Sequence, residues 1–198
     1  MATKGDRNIP PGIDRPARRT IVNQATGETV TFEKYGCETH GEFTQAQLTC
    51  KPGGGPPLHY HNSYAERFRA VEGELGVALG DDPPTHLQPG EEADIPVGVK
   101  HRFFNDGDKD VTFAGYVLPA HPGFEKSLYV LFGLANDGFI DAQTGMPKSL
   151  VHASVIAELG DMSFPGLMGS VMKRVSKILA QWARWRGIEE ELLKKYWD

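Results

Sequence analysis

Two histidines flank Tyr60, Glu66 follows them, and a further histidine stands at His101. On an extended strand, side chains two apart project to the same face, so His59 and His61 can point at one ion. Imidazole nitrogens suit Zn, Fe, Ni, Cu and Mn, and a carboxylate adds a hard anionic ligand. Glu66 lies five residues beyond His61, an odd separation that an unbroken strand would send to the opposite face. A turn at Asn62-Ser63-Tyr64 resets that parity and lets Glu66 enter from the next strand. His101 then adds a nitrogen from a distant segment. Pro96-Val97-Gly98 fits a tight turn, with proline second and glycine fourth, that aims His101 inward. Burying three imidazoles and a carboxylate with no ion would leave polar groups unpaired, at roughly 1–3 kcal/mol each.

Alternation extends the set. Phe68 and Ala70 share the face of Glu66, and Phe103 shares that of His101, which makes Phe68 and Phe103 the candidate wall of a small-molecule pocket. Taken singly, each of these is also an ordinary core residue. Arg67, Arg69 and Arg102 fall on the opposite faces, so the pocket lacks the cation that would grip a sugar phosphate. His40, His86, His121 and His152 read as surface or structural residues.

The elements that must hold these residues are short strands. Glycine (23) and proline (14) exceed their usual combined share of about 12%. From Thr20 to about Ala120 the pattern has period two, broken at short intervals by turn-formers. Strands are predicted around 21–22, 29–32, 42–50, 66–71, 75–79, 85–88, 92–95, 101–104 and 111–117. After Pro122 the period becomes 3.6, with helices predicted from Phe124 to Ala135, Ser149 to Leu159 and Gly166 to Trp185, and a last turn or two from Glu189 to Trp197. Strands first and helices after read as an all-β domain with a helical extension. The parts are a loose N-terminal arm over 1–19, a barrel over 20–121 and the extension over 122–198.

Both halves of the site sit in a longer pattern. The first half has Gly53, five residues, His59-Tyr60-His61, four residues, Glu66, six residues, then Gly73. The second has Gly90, five residues, Pro96-Val97-Gly98, two residues, His101, three residues, then Asn105. These spacings resemble the two signature motifs of the cupin family at every defining position, across roughly residues 20–120. The resemblance implies a double-stranded β-helix (jelly-roll) barrel with a divalent metal inside, held by His59, His61, Glu66 and His101. Three nitrogens and one oxygen leave two positions of an octahedron open, which favours Fe, Mn or Ni, while Zn fits with fewer ligands.

Charge and composition narrow the function. The net charge of −5 hides basic ends, each +3 over 1–20 and 162–198, around an acidic middle. That balance excludes a broad nucleic-acid surface. No run is apolar enough to span a bilayer, and no secretory leader is visible at the N-terminus. Cys37 and Cys50 form no disulfide framework, consistent with a cytoplasmic protein. The leading expectation is a metal-dependent enzyme with an oxygenase-like reaction on a small organic molecule, Glu66 doubling as general base. A sugar isomerase or epimerase and a non-enzymatic sensor are the alternatives. The arm and the tail both suggest a homodimer. The apolar stripe of the third helix (Val171, Met172, Val175, Ile178, Leu179, Trp182) is expected to pack on the barrel or on a partner, with a membrane surface as the alternative.

Overall fold

The computed structural model describes residues 9–141 and 144–198. Eleven strands and five α-helices are present among them. Strands β1 (Thr20–Val22), β2 (Thr29–Lys34), β3 (Thr44–Cys50), β4 (Tyr60–His61) and β5 (Ala65–Glu72) come first. They are followed by β6 (Leu75–Leu79), β7 (Thr85–Leu87), β8 (Glu92–Ile95), β9 (His101–Phe104) and β10 (Val111–Leu118). A four-residue helix, α1 (Pro11–Asp14), precedes them. The extension holds α2 (Pro122–Asn136), α3 (Leu150–Leu159), the two-residue β11 (Met162–Ser163), α4 (Gly166–Trp185) and α5 (Ile188–Tyr196).

All strand pairs are antiparallel. A six-stranded sheet runs β1-β2-β3-β10-β5-β8, a three-stranded one β7-β6-β9, and β4 pairs with β11. This is the jelly-roll architecture with helices after it. Strand β3 explains how one sheet serves two cores. Ala46, Leu48 and Cys50 share its inner face by period-two alternation. Cys50 packs with Phe68, Leu75, Val77, Ile95 and Phe113 between the sheets. Ala46 packs instead with Phe32, Val130, Leu193 and Trp197 under the helices, and Leu48 touches both groups. The β10-β5-β8 end of the sheet is thus covered by the small sheet, and the β2-β3 end by α2 and α5.

The expected strands and helices are found within a few residues, because each strand keeps its period between turn-formers and each helix carries its own signals. The His121 ring accepts the Phe124 amide at the start of α2, and the Ser149 hydroxyl accepts the His152 amide at the start of α3. Glu189, Glu190 and Glu191 open α5 and Lys194 and Lys195 close it, each charge favourably placed on the helix dipole. One turn differs from expectation. Ile95 stays in β8, paired with Glu66, so the turn starts one residue later: the Val99 amide bonds to the Pro96 carbonyl, and Gly98 is third with φ +78°. That positive φ suits a type II turn.

Of the loose arm expected over 1–19, residues 1–8 lie outside the described residues. Residues 9–19 instead lie against the chain's own C-terminus. Arg15 donates to the Asp198 carbonyl at 2.6 Å, and Arg18 donates to the carbonyls of Tyr196 and Asp198. Beneath them Tyr35 and Tyr129 share a buried hydroxyl–hydroxyl bond of 2.7 Å, and the Tyr129 hydroxyl donates to the Arg18 carbonyl. The described part of the arm thus binds the tail of its own chain. The stripe of α4 also departs from expectation: Gly169, Ala180 and Ala183 face the protein, while Val171, Met172, Val175, Ile178 and Trp182 are exposed and Leu179 is half-buried.

One buried charge ties the extension to the barrel. Glu125 of α2 accepts the Gly36 amide at 2.8 Å and the Thr44 hydroxyl at 2.6 Å, both on Oε1. Burial raises its pKa, and these bonds only partly oppose the rise. A raised carboxyl pKa means stability that is full below the unfolded pKa and lost as pH rises through the folded one. Glu125→Gln keeps the Oε1 acceptor without the charge. Its stability relative to wild type is expected to grow as pH is raised from 4 to 8, by about 1.4 kcal/mol for each unit of upward shift, as read by urea melts across that range. A difference independent of pH would count against this account.

Candidate metal centre

Four buried side chains converge inside the barrel: His59, His61, Glu66 and His101, with one potential ligand atom from each lying within 4.8 Å of all the others. Three pieces of backbone bring them together. His59 and His101 are paired antiparallel, each amide bonding to the other's carbonyl at 3.0 and 2.7 Å. The Gly98 amide bonds to the His61 carbonyl at 2.7 Å, so the Pro96–Val99 turn holds β4. Glu66 enters from β5 after the bend at Asn62-Ser63, on the same buried face as Phe68 and Ala70. Period two is therefore broken and restarted between His61 and Glu66, as the spacing required.

The ring orientations are set through Nδ1. His59 donates Nδ1–H to the Pro57 carbonyl at 2.7 Å, and His101 donates to Val99 at 2.9 Å, in each case two residues back along the chain. His61 has no such local bond; its Nδ1 meets the carbonyl of Asp161, one hundred residues away in the extension, at 3.2 Å. In this tautomer Nε2 carries the lone pair, the arrangement in which a histidine binds a metal. Two of those nitrogens face the Glu66 carboxylate: His101 Nε2 lies 2.6 Å and His61 Nε2 3.4 Å from Oε2.

A lone pair cannot sit 2.6 Å from a carboxylate oxygen without positive charge between them. With protein groups alone that charge is a proton. Burial opposes ionisation of His101, but its bond to Glu66, the charge of that carboxylate and the bond to Val99 together outweigh burial and raise its pKa. Burial likewise pushes Glu66 up, and its bonds to His101 and His61 outweigh that and hold it well below the ordinary range. Burial, then the neighbouring His101, brings His59 down to about 4, so at neutral pH it is an uncharged ligand. Three imidazoles presenting Nε2 and one ionised carboxylate, enclosed together, form a donor set that fits a divalent cation.

The extension contributes directly to this centre. Met162 and Ser163 of β11 pair with His61 and Tyr60. Asp161, just before them, adopts φ +48° and clamps the bend between β4 and β5. Its carboxylate accepts the Asn62 amide at 2.7 Å, the Asn62 side-chain amide at 3.0 Å and the Ser63 hydroxyl at 2.6 Å. Burial opposes that carboxylate's charge, but these donors win and lower its pKa. Tyr64 stacks on the His61 ring with centroids 4.4 Å apart and donates its hydroxyl to the Gly160 carbonyl at 2.6 Å.

Phe68 and Phe103 lie beneath the ligands. Phe68 is buried, 6.2 Å from the His101 ring centre, and meets Phe103 and Phe113 edge to face at 5.6 and 5.7 Å. Arg67 turns outward to Asp94 at 2.6 Å, and Arg69 is also exposed. Of the remaining histidines, His86 pairs with Asp106 on the surface, and His121 caps α2 with its ring 5.1 Å from Tyr64. The motif's last residue, Asn105, is structural: it donates to the carbonyls of Cys50 and Lys109. Asp161 and Tyr64 were not foreseen from the sequence. No spacing ties residue 161 to residue 61, although a Gly-Asp pair after a helical pattern does mark a turn.

Residues 46–118 match the family described as Cupin domain. With both motifs and the jelly-roll sheets in place, this segment of the chain is a cupin domain. It is 40% identical over 55 residues to the oxidoreductase OpS7 of Beauveria bassiana, covering 27% of this chain and 18% of that protein. It is 32% identical over 103 residues to germin-like protein subfamily 3 member 2 of Arabidopsis thaliana, covering 50% and 44%. The chain thus spans less than half the length of these curated relatives. Among solved structures, a Cupin 2 conserved barrel domain protein from Salinispora arenicola overlaps 53% of this chain and 86% of its own, with TM-score 0.43 and 16% identity.

Because the Asp161 side chain orients the strand that carries His61, its loss should loosen the metal more than the fold. Asp161→Gly tolerates the positive φ and removes only the carboxylate. Its dissociation constant for Mn(II) or Ni(II) is expected to rise about 10- to 100-fold by titration calorimetry, at a temperature where circular dichroism shows the variant folded. An unchanged dissociation constant would deny Asp161 this positioning role.

Proposed function

We propose that this chain is a metal-dependent enzyme with an oxygenase-like reaction on a small organic molecule. His59, His61, Glu66 and His101 hold one divalent ion, and residues 20–121 form the reacting unit, with 122–198 as its support. The observation that carries the reading is the anchoring of three Nδ1–H groups to backbone carbonyls, which leaves three Nε2 atoms and a carboxylate directed at one point. An N₃O set with two open octahedral positions suits Fe(II), Mn(II) or Ni(II), and Zn(II) at lower coordination. Such an ion supplies Lewis acidity and a template for a substrate oxygen.

The chain's own groups supply the rest. Glu66 is the general base. Its bonds to His101 and His61 keep the carboxylate ionised, the form in which it would accept a substrate proton once released from the ion. Phe68 and Phe103, packed edge to face beside the His101 ring, exclude water and give the centre an apolar wall. The fungal relative is named an oxidoreductase, which points the same way. A sugar isomerase is less well supported, because Arg67 and Arg69 lie on the outer face of β5. A sensor role is favoured by one observation, the bond from the extension to His61, which would couple ion occupancy to the tail.

The test is elemental analysis followed by oxygen-electrode assays of the Fe(II), Mn(II) and Ni(II) forms on phenolic and diketone compounds. One form is expected to consume O₂ with substrate, His101→Ala to lose the ion, and Glu66→Gln, kept loaded by excess metal, to fall about 100-fold or more in kcat. Tight metal binding without O₂ uptake in any form would remove the oxygenase reading and leave the sensor.

A further inference from the structure

The outward face of α4 has no cover among the described residues. Met168, Val171, Val175, Ile178, Trp182 and Trp185 recur at alternating three- and four-residue steps along it, with Ile178 65% and Trp185 78% exposed. The helix approaches the protein through Gly169, Ala180 and Ala183, small residues that permit close packing, chiefly against α3, and leave the bulky side chains outside. The charge around this face has one sign. Between residues 162 and 188 there is no Asp or Glu, but there are Lys173, Arg174, Lys177, Arg184 and Arg186, in a chain of net charge −5. Lys173 is turned to Asn62 and the Tyr60 ring, and Arg184 to Glu189. The Arg186 guanidinium lies over both indoles, 5.5 Å from Trp182 and 5.9 Å from Trp185, which brings a cation to the edge of the apolar stripe.

We propose that this face of α4 docks in the plane of an anionic lipid bilayer. A helix with a sharply divided apolar and polar surface, cations but no anions, and tryptophans at one end has the properties of an interfacial helix. Its apolar side chains enter the acyl boundary, the indoles settle at headgroup depth, and Arg174, Lys177 and Arg186 meet lipid phosphates and carboxylates. No helix among the described residues is long and apolar enough to cross a membrane, so the contact is in-plane. The same spacing could seat a second α4 as a coiled-coil seam. Charge disfavours that occupant: two such helices would set cation beside cation, with no carboxylate on either to pair them. Opposite charge on the bilayer surface removes the conflict.

The full-length protein is floated with vesicles of neutral phosphatidylcholine and with vesicles in which roughly a third of the lipid is phosphatidylserine. Binding is expected to the anionic vesicles only, with a blue shift in tryptophan fluorescence, and to weaken at high salt. Arg174→Gln and Lys177→Gln should each reduce partition roughly fivefold. Ile178→Ser and Trp185→Ser should abolish it, with far-UV circular dichroism unchanged because both side chains are exposed. Should an apolar variant alter the dichroism, the two charge variants decide. Equal binding to both vesicle types, or none, overturns the proposal. So does a dimer by light scattering that Ile178→Ser dissociates, since a second copy then covers the face. None of these readouts depends on the metal or on catalysis.

Discussion

The destination of three imidazole protons governs this structure. Each of the three buried histidines sends Nδ1–H to a backbone carbonyl, and that commitment directs Nε2 into the shared cluster, where those of His61 and His101 meet the Glu66 carboxylate. A ring free to rotate or change tautomer would present a donor where a ligand is needed. For His59 and His101 the carbonyl lies two residues back, so the local strand geometry provides it. The mutual pairing of their backbones then fixes the distance between the rings.

His61 is different, and the difference gives the helical extension its role. A two-residue strand has little stability alone. Here β11 extends β4, the Asp161 carboxylate ties down the bend that follows, and the Asp161 carbonyl receives the His61 ring proton. The left-handed backbone at Asp161 is a local cost offset by these bonds. The extension is also anchored at its far end, where Trp197 is buried against Tyr129 and the strap of Arg15 and Arg18 holds the last carbonyls. The centre therefore rests on contacts made from both ends of the chain.

Much of this was legible beforehand. Glu66, Phe68 and Ala70 on one face of β5, with Arg67 and Arg69 on the other, follow from strict alternation. The helix limits at Asn136, Leu159 and Trp185 follow from 3.6-residue periodicity and from Gly or Asn at the stops. Other features were misplaced or unseen. The Pro96 turn slipped by one residue because the cross-strand bond to Glu66 keeps Ile95 in the sheet, a competition that local turn preference does not contain. The stripe of α4 looked like a buried face because apolar periodicity reports amphipathicity and not which side meets the protein. Gly169, Ala180 and Ala183, too small to stand out in the pattern, made that choice.

The sequence by itself determined the ligand types, their parity on the strands, the jelly-roll class and the existence of the helices, since each depends on residues near one another or on a dense spacing pattern. Tertiary structure decided which carbonyl steadies His61, where the chain's first and last segments rest, and which face of α4 remains bare. The first two outcomes rest on contacts between segments about a hundred or more residues apart and the third on packing of α4 against α3, and no local periodicity encodes which surfaces will meet.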